Sequence, residues 1–415
     1  MNAQQPQRVG VIGAGMVGLA TAWHLRQRGL EVTVHDKVGV AAGASWGNAG
    51  WLTPGIATPL PEPAVLRSGI RALVSPSSPL YIPPSADRRL LRFLLGFARH
   101  STASRWRTAM EALIGVNDLA LGAFDRLGEG GVAAPTYDAK TFVAAYRTEA
   151  QRTTLLEEIE QIHAAGQDIT FDVLSGDGAR QVEPALSGAI GAAILLHDQR
   201  FINPGAYVEA LAASAREIGV QILEGSDVRS VVDSGGAVRL TTEAGEHTYD
   251  AVVIASGAHL NALADDFGIK LVVQAGRGYS FSVPIEHVPS GPVYFPAARV
   301  ACTPLGDRLR VAGMMEFRRP EAPLDQRRIA AIVNAARPLL SGADLDERQD
   351  EWVGSRPCTR DGLPLVGRTR SPRVHVAGGH GMWGITLGPV TGELLAEAIV
   401  TGVAPRQLAP FDPLR

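Results

Sequence analysis

The chain has 415 residues, 46% hydrophobic and 20% charged, with 39 Lys+Arg against 42 Asp+Glu and a formal net charge of -3. That length exceeds what one compact core usually supports, so two domains are expected, and the balanced charge excludes the overall basic field a nucleic-acid partner demands. Two cysteines, Cys302 and Cys358, give neither a disulfide framework nor a zinc site, which fits a reducing compartment and no bound metal.

The start "MNAQQPQ" runs straight into an apolar strand and leaves no room for a secretory signal, and no apolar run approaches the roughly 18–20 residues needed to span a bilayer. Residues 8–13 read as a buried strand, 15–28 as a helix that Gly29 stops, and 31–36 as a second strand. Gly13, Gly15 and Gly18 spell G-x-G-x-x-G at the junction, and Asp36 ends the second strand. This is the pattern of a tight turn, a close backbone approach to a pyrophosphate, and a carboxylate for a ribose hydroxyl. An acid rather than an arginine argues against NADP and leaves NAD and FAD open.

From Val40 to Pro63 the sequence is too irregular for regular structure and too apolar for a solvated linker, so it reads as a buried loop. Within it, "GASWGNAGWLTPG" (43–55) either wraps a second phosphate region and the edge of a large ring or is a glycine-rich turn. Residues 87–127 are helical in pattern, 136–147 sheet-like, and 149–166 helical. A helix at 206–219, a strand at 220–225, two strands through 227–245 and an apolar strand at 249–258 follow, and 269–316 has the Gly- and Pro-punctuated texture of an antiparallel sheet. A helix around 325–340, the strand "RVHVAGGH" and a last helix beginning near Thr386 complete the chain.

In "AGGHGMWGITLGP" (377–389) a strand ends in glycines just before a helix, aiming a helix N-terminus at whatever lies between. Arg356, in "GSRPCTRDGLPLVG", offers a planar fork to a substrate carboxylate or makes a structural ion pair. His380 either stacks on a ring or is structural; Tyr279 in "GRGYSF" is either a substrate contact or core. In 88–99, Arg88, Arg92 and Arg99 share one helical face and Leu90, Phe93, Leu94 and Phe97 the other, which suits a membrane surface or ordinary packing.

Taken together, "SWGNAGWLTPG", "SPLYIPPSADRRLLRFLLGFARH", "GRGYSF", "VAGMMEF", "RPCTRDGLPLVG" and "GHGMWGITLGP" resemble, over nearly the full length, the FAD-dependent D-amino acid oxidase superfamily, in particular the catalytic subunits of bacterial D-amino acid dehydrogenases. The resemblance implies an α/β fold with a discontinuous Rossmann-like FAD-binding domain of the glutathione-reductase type (1–60, 150–265 and 350–415). A mainly antiparallel β-sheet substrate domain with helices (61–149 and 266–349) accompanies it. It further implies that Gly13, Gly15, Met16, Val17, Gly18, Asp36 and Lys37 hold the ADP part, and that Ala44, Ser45, Asn48, Ala49, Gly50 and Trp51 surround pyrophosphate and flavin. Val228 is expected at the adenine, Ser256 and Gly257 under the ADP, and Gly381, Met382, Trp383, Gly384, Ile385 and Thr386 at the flavin edge.

Arg356 is then the expected carboxylate partner, with Tyr279 and His380 as further catalytic candidates. The implied reaction is oxidative deamination of a D-amino acid by hydride transfer from Cα to flavin N5, electrons passing to a quinone, O2 or another acceptor. Glycine, sarcosine, D-hydroxyproline or an opine are the alternative substrates. No cysteine sits in a "GMCMY"-like sequence, so FAD is expected to be noncovalent. A cytoplasmic location is expected, with 88–99 as the candidate peripheral contact with the inner membrane and a partner subunit as a further candidate. Arg360 departs from the proline usual in this family's turn, and Trp51 and Trp383 are bulky for their positions.

Overall fold

The apolar run Arg8–Ile12 takes the third place in a six-stranded sheet ordered Gln221–Leu223, Glu31–His35, Arg8–Ile12, Ala251–Ile254, Val374–Gly378 and Leu365–Arg368. The first five are parallel and the last antiparallel. Val9, Val11, Val252, Val253 and Val376 are fully buried, as parallel strands covered on both faces must be. One face packs on the helices Met16–Gln27, Pro204–Glu217 and Gly384–Thr401. The other face meets an antiparallel meander, Ser230–Asp233, Val238–Thr242 and Gly245–Tyr249. The computed structural model describes residues 6–63 and 78–415; the expectations for residues 1–5, and for 64–77 inside the anticipated substrate unit, lie outside them.

A second sheet of nine strands runs Gln349–Cys358, Gln274–Pro284, Arg308–Phe317, Val300–Leu305, Val293–Phe295, Phe142–Tyr146, Ala192–Leu196 and Phe171–Ser175, with Leu80–Tyr81 paired to Arg308–Phe317. It is antiparallel except where Val293 meets Val143 and Met315 meets Leu80. The helix Gln326–Ala336 covers one face, and the helices Ala103–Glu129 and Glu149–Ala165 bury part of the other. Strands 171–175, 192–196 and 349–358 fall in stretches expected to belong to the nucleotide unit, yet their hydrogen bonds go to this sheet. We therefore propose that the boundary of the antiparallel unit takes in these three strands.

The helical stretch 87–127 is two helices, Arg88–His100 and Ala103–Glu129, separated at Ser101 and Thr102, where Thr102 caps the second through Arg105 N–H. On the first helix Leu90, Phe93 and Phe97 pack against Met315, Phe317 and Cys358, with Leu94 half-buried beside them. Its apolar stripe is therefore spent on the protein's own sheet, and only Leu91 and Leu95, 52% and 57% accessible, remain outside. Arg360 lays its aliphatic stem on Gly96 of this helix. No helix among the described residues is long and apolar enough to cross a membrane.

The two ends of the chain meet where helices 16–27 and 384–401 cross. A Cβ on Gly392 would stand 2.5 Å from Thr21 N, and one on Gly388 would stand 2.6 Å from Met16 Cγ. Gly392→Val forces these helices apart, at a cost of about 1–3 kcal/mol. A lower thermal midpoint and weaker flavin retention are expected, and a variant with wild-type values of both would contradict the crossing.

Candidate functional site

Between the two sheets lies a cavity of about 580 Å3, within the range of small-molecule and cofactor sites. Its long wall is the first strand–turn–helix. Gly13 has φ +115°, and a Cβ there would lie 2.5 Å from Ala255 O, so the turn demands glycine. Helix 16–27 starts with no side-chain cap on Gly15 and no acid in its first turn, leaving its leading N–H groups to an anion; Met16 N–H alone is met by Ser45 Oγ at 3.2 Å. Gly15, Val17 and Gly18 line the same wall, and Ala44, Ser45 and Asn48 face it from the loop.

Asp36 lines the cavity, but much of its carboxylate is already engaged. Oδ2 accepts from Ala14 N–H at 2.8 Å, and Oδ1 from Val38 and Gly39 N–H at 2.9 and 3.0 Å. With about four acceptor sites on a carboxylate, roughly one remains for a ribose hydroxyl. Lys37 Nζ lies 3.1 Å from His259 Nε2, and His259 is 3.4 Å from Glu321, a rim that the sequence reading had not picked out beyond Lys37. Burial, and then Lys37, lowers the pKa of His259. Val228, Ser256 and Gly257 also line the cavity, and the buried Ser256 hydroxyl has no partner among the described residues.

The opposite end is built by 381–385. A short 3-10 turn, Gly381–Trp383, leads into helix 384–401, which again begins with no side-chain cap and no acidic residue. Gly381, Met382, Gly384 and Ile385 face the cavity. His380 is buried, with Nε2 2.9 Å from Thr391 Oγ1, and burial holds its pKa down at about 4, so it is neutral near pH 7. Its Nδ1 is buried with no partner among the described residues. Unpartnered buried atoms and uncapped helix starts at both ends fit an elongated anionic dinucleotide such as FAD.

Several expected contacts lie behind this wall. Trp51 Nε1 donates to Thr303 Oγ1 at 2.9 Å, Thr303 donates to Ala49 O at 2.6 Å, and Gly50 N–H bonds Asn48 Oδ1. Trp383 Nε1 donates to Thr58 O, and Thr386 Oγ1 to Trp51 O. Ala49, Gly50, Trp51, Trp383 and Thr386 brace the loop against the sheet and are absent from the cavity lining. Tyr279 is a correction as well. Its side chain shares the parity of Phe281 and Val283 and enters the packed core, where its hydroxyl donates to the fully buried Glu316 at 2.6 Å. Burial and that hydrogen bond raise its pKa, and it does not reach the cavity.

Arg356 does reach it. Its guanidinium donates to Met314 O at 3.0 Å from a backbone held at φ +63°, and no carboxylate among the described residues pairs with it. Burial lowers its pKa, the response of a desolvated cation lacking an anion. The space it occupies exists because residue 278 is glycine: a Cβ there would stand 2.2 Å from Arg356 Cζ. In "GRGYSF" it is Gly278, whose missing side chain leaves room for the Arg356 guanidinium, that bears on the cavity, and not Tyr279.

The family described as DAO, FAD dependent oxidoreductase matches residues 8–398. A D-amino acid dehydrogenase from Cereibacter sphaeroides is 32% identical over 407 residues, covering 96% of this chain and 92% of that protein. One from Rhizobium rhizogenes is 30% identical, covering 94% and 95%. Among solved structures, glycine oxidase from Geobacillus kaustophilus superposes with a TM-score of 0.74 at 23% identity, covering 99% of each chain. Iminodiacetate oxidase from Chelativorans sp. BNC1 gives 0.71 at 19%, covering 98% and 99%.

Gly278→Ala displaces the Arg356 guanidinium without touching the dinucleotide wall. Flavin content should hold while KM for the substrate rises on the order of tenfold to a hundredfold; a KM equal to wild type would show that Arg356 does not need this space.

Proposed function

Because this chain belongs to the DAO family of FAD-dependent oxidoreductases, we propose that it oxidatively deaminates a D-amino acid to the 2-oxo acid and ammonia. The observation that carries the reading is Arg356, a desolvated cation in the cavity wall with no carboxylate partner among the described residues. A substrate carboxylate supplies the missing anion through a charge-assisted, two-pronged contact. Relatives named D-amino acid dehydrogenase at 30–32% identity support the choice of substrate class.

Bound FAD supplies the two-electron acceptor. The protein's part is orientation and field. Arg356 fixes the carboxylate and with it the direction of the Cα–H bond, and the uncapped start of helix 384–401 places partial positive charge at the cavity's far end. The substrate's free amine lone pair forms the C=N bond as the hydride departs, and water hydrolyses the imine. No side-chain base is required, which agrees with a neutral His380 tied to Thr391 as a positioning residue. Cys302 and Cys358 are buried thiols with pKa values raised by burial, Cys358 to about 12, and neither lines the cavity, so neither is placed to attach the flavin covalently.

Electrons leave to a quinone or another acceptor in a cytoplasmic enzyme, with Leu91 and Leu95 as the surface of a peripheral membrane contact. Sedimentation with anionic vesicles at low salt tests that contact: binding that is lost in Leu91→Ser/Leu95→Ser supports it, and a wild-type protein left in the supernatant ends it.

Anaerobic mixing with D-amino acids, glycine, sarcosine, D-hydroxyproline and an opine should bleach a flavin that acid precipitation releases. Bleaching is expected with at least one D-amino acid, and Arg356→Ala should raise its KM roughly 10–100-fold. No bleaching by any D-amino acid, or an unchanged KM, would remove this reading.

A further inference from the structure

A second cavity, of about 760 Å3, lies against the first and shares Ala258, His259, Ala262, Pro320 and Glu321 with it. Leu90, Val273 and Phe317 give it an apolar part. Its charged lining is three guanidiniums, Arg89, Arg318 and Arg319, against two carboxylates, Asp87 and Glu321.

The guanidiniums are held in place without being neutralised. Arg89 Nη2 donates to Asn261 Oδ1 at 2.5 Å, an uncharged partner. Asn261 is 3% exposed and fixed at both ends of its amide: the same oxygen accepts Val273 N–H at 2.7 Å, and Nδ2 donates to Asp265 Oδ1 at 2.7 Å and to Leu271 O at 3.0 Å. Arg318 reaches Glu316 at 3.1 Å, but that one carboxylate also answers Arg277 and the Tyr279 hydroxyl. Arg319 is exposed, and neither it nor Arg89 forms an ion pair among the described residues. Residues 1–5 and 64–77 contain no Asp or Glu, so every acidic side chain of the protein is among those described. The two lining carboxylates are themselves engaged. Asp87 Oδ1 caps helix 88–100 by accepting Arg89 N–H at 2.8 Å, and Glu321 lies 3.4 Å from His259 Nδ1.

We propose that this second cavity is a separate binding site for a small organic carboxylate that carries no ammonium group, the class to which a 2-oxo acid belongs. Naming the 2-oxo acid rests on the deamination reading, whereas the site rests on the charges of the cavity. Arg89 and Arg319 offer charge-assisted hydrogen bonds to a carboxylate, and the neighbouring 2-oxo oxygen is a further acceptor for them. A free amino acid is a zwitterion, and its ammonium would enter beside three guanidiniums and find both carboxylates occupied. Loss of the amine removes that repulsion, so the cavity separates product from substrate by charge. Product held there lies against a wall that the first cavity shares.

The test is equilibrium dialysis of pyruvate against flavin-loaded Arg356→Ala, in which the first cavity has lost its carboxylate anchor. Pyruvate is expected to bind about tenfold tighter than the zwitterion L-alanine, and the added change Arg89→Ser/Arg319→Ser to weaken it by about tenfold or more. Arg319 is exposed, so Arg319→Ser alone, with a loss of a few-fold, decides the matter if the larger variant fails to fold. No pyruvate binding to Arg356→Ala, equal affinity for L-alanine, or an affinity indifferent to the arginine replacements would overturn the proposal. The wild type keeps the two readings apart. Two pyruvate sites there and one in Arg356→Ala support both; a single site of the same affinity in each protein, lost with Arg89 and Arg319, upholds the second cavity and removes Arg356 as the carboxylate anchor.

Discussion

The structure depends on a close crossing of two helices from opposite ends of the chain. Gly388 and Gly392 let helix 384–401 lie against Met16, Ala20 and Thr21 of helix 16–27, leaving no space for a Cβ at either position. That contact sets two uncapped helix starts on one cavity, one beside Gly15 and the other at Gly384. Each start carries partial positive charge, and a single anionic dinucleotide answers both. The six-stranded sheet beneath them fixes their spacing by pairing residues 8–12 directly with 251–254 and, through these, with 374–378.

Burying charge without a partner is costly, and this protein does so selectively. Where the chain needs only structure, buried charge is matched: Glu316 is fully buried but meets Arg277, Arg318 and the Tyr279 hydroxyl. At the cavity the match is withheld. Arg356 has a backbone carbonyl and no acid among the described residues. A fold stable enough to carry this deficit keeps it for a ligand that carries the complementary charge.

How much of this was legible in the sequence depends on how local the cause is. The turn at Gly13 and the strand ending at Asp36 were, because strand period, turn glycines and helix all lie within one βαβ unit. Membership of strands 171–175 and 192–196 in the nine-stranded sheet was not, since nothing in a strand's own residues names its partner. Tyr279 misled because every residue from Gln274 to Val283 is buried, which hides which parity faces the core and which faces Arg356. Gly278 stood in a motif already singled out, but its meaning depends on a guanidinium brought there by strand pairing. Likewise, Asp36 was read as a ribose ligand without the three backbone N–H groups that also hold it.

The account turns on Arg356 and a carboxylate. The most direct measurement is the dissociation constant of hexanoate against that of its uncharged amide, hexanamide, each titrated into the oxidised holoenzyme and into Arg356→Ala. The account predicts that the wild type favours the carboxylate by roughly 10–100-fold and that the variant loses most of that preference. Equal discrimination by both proteins would place the anion elsewhere and contradict it.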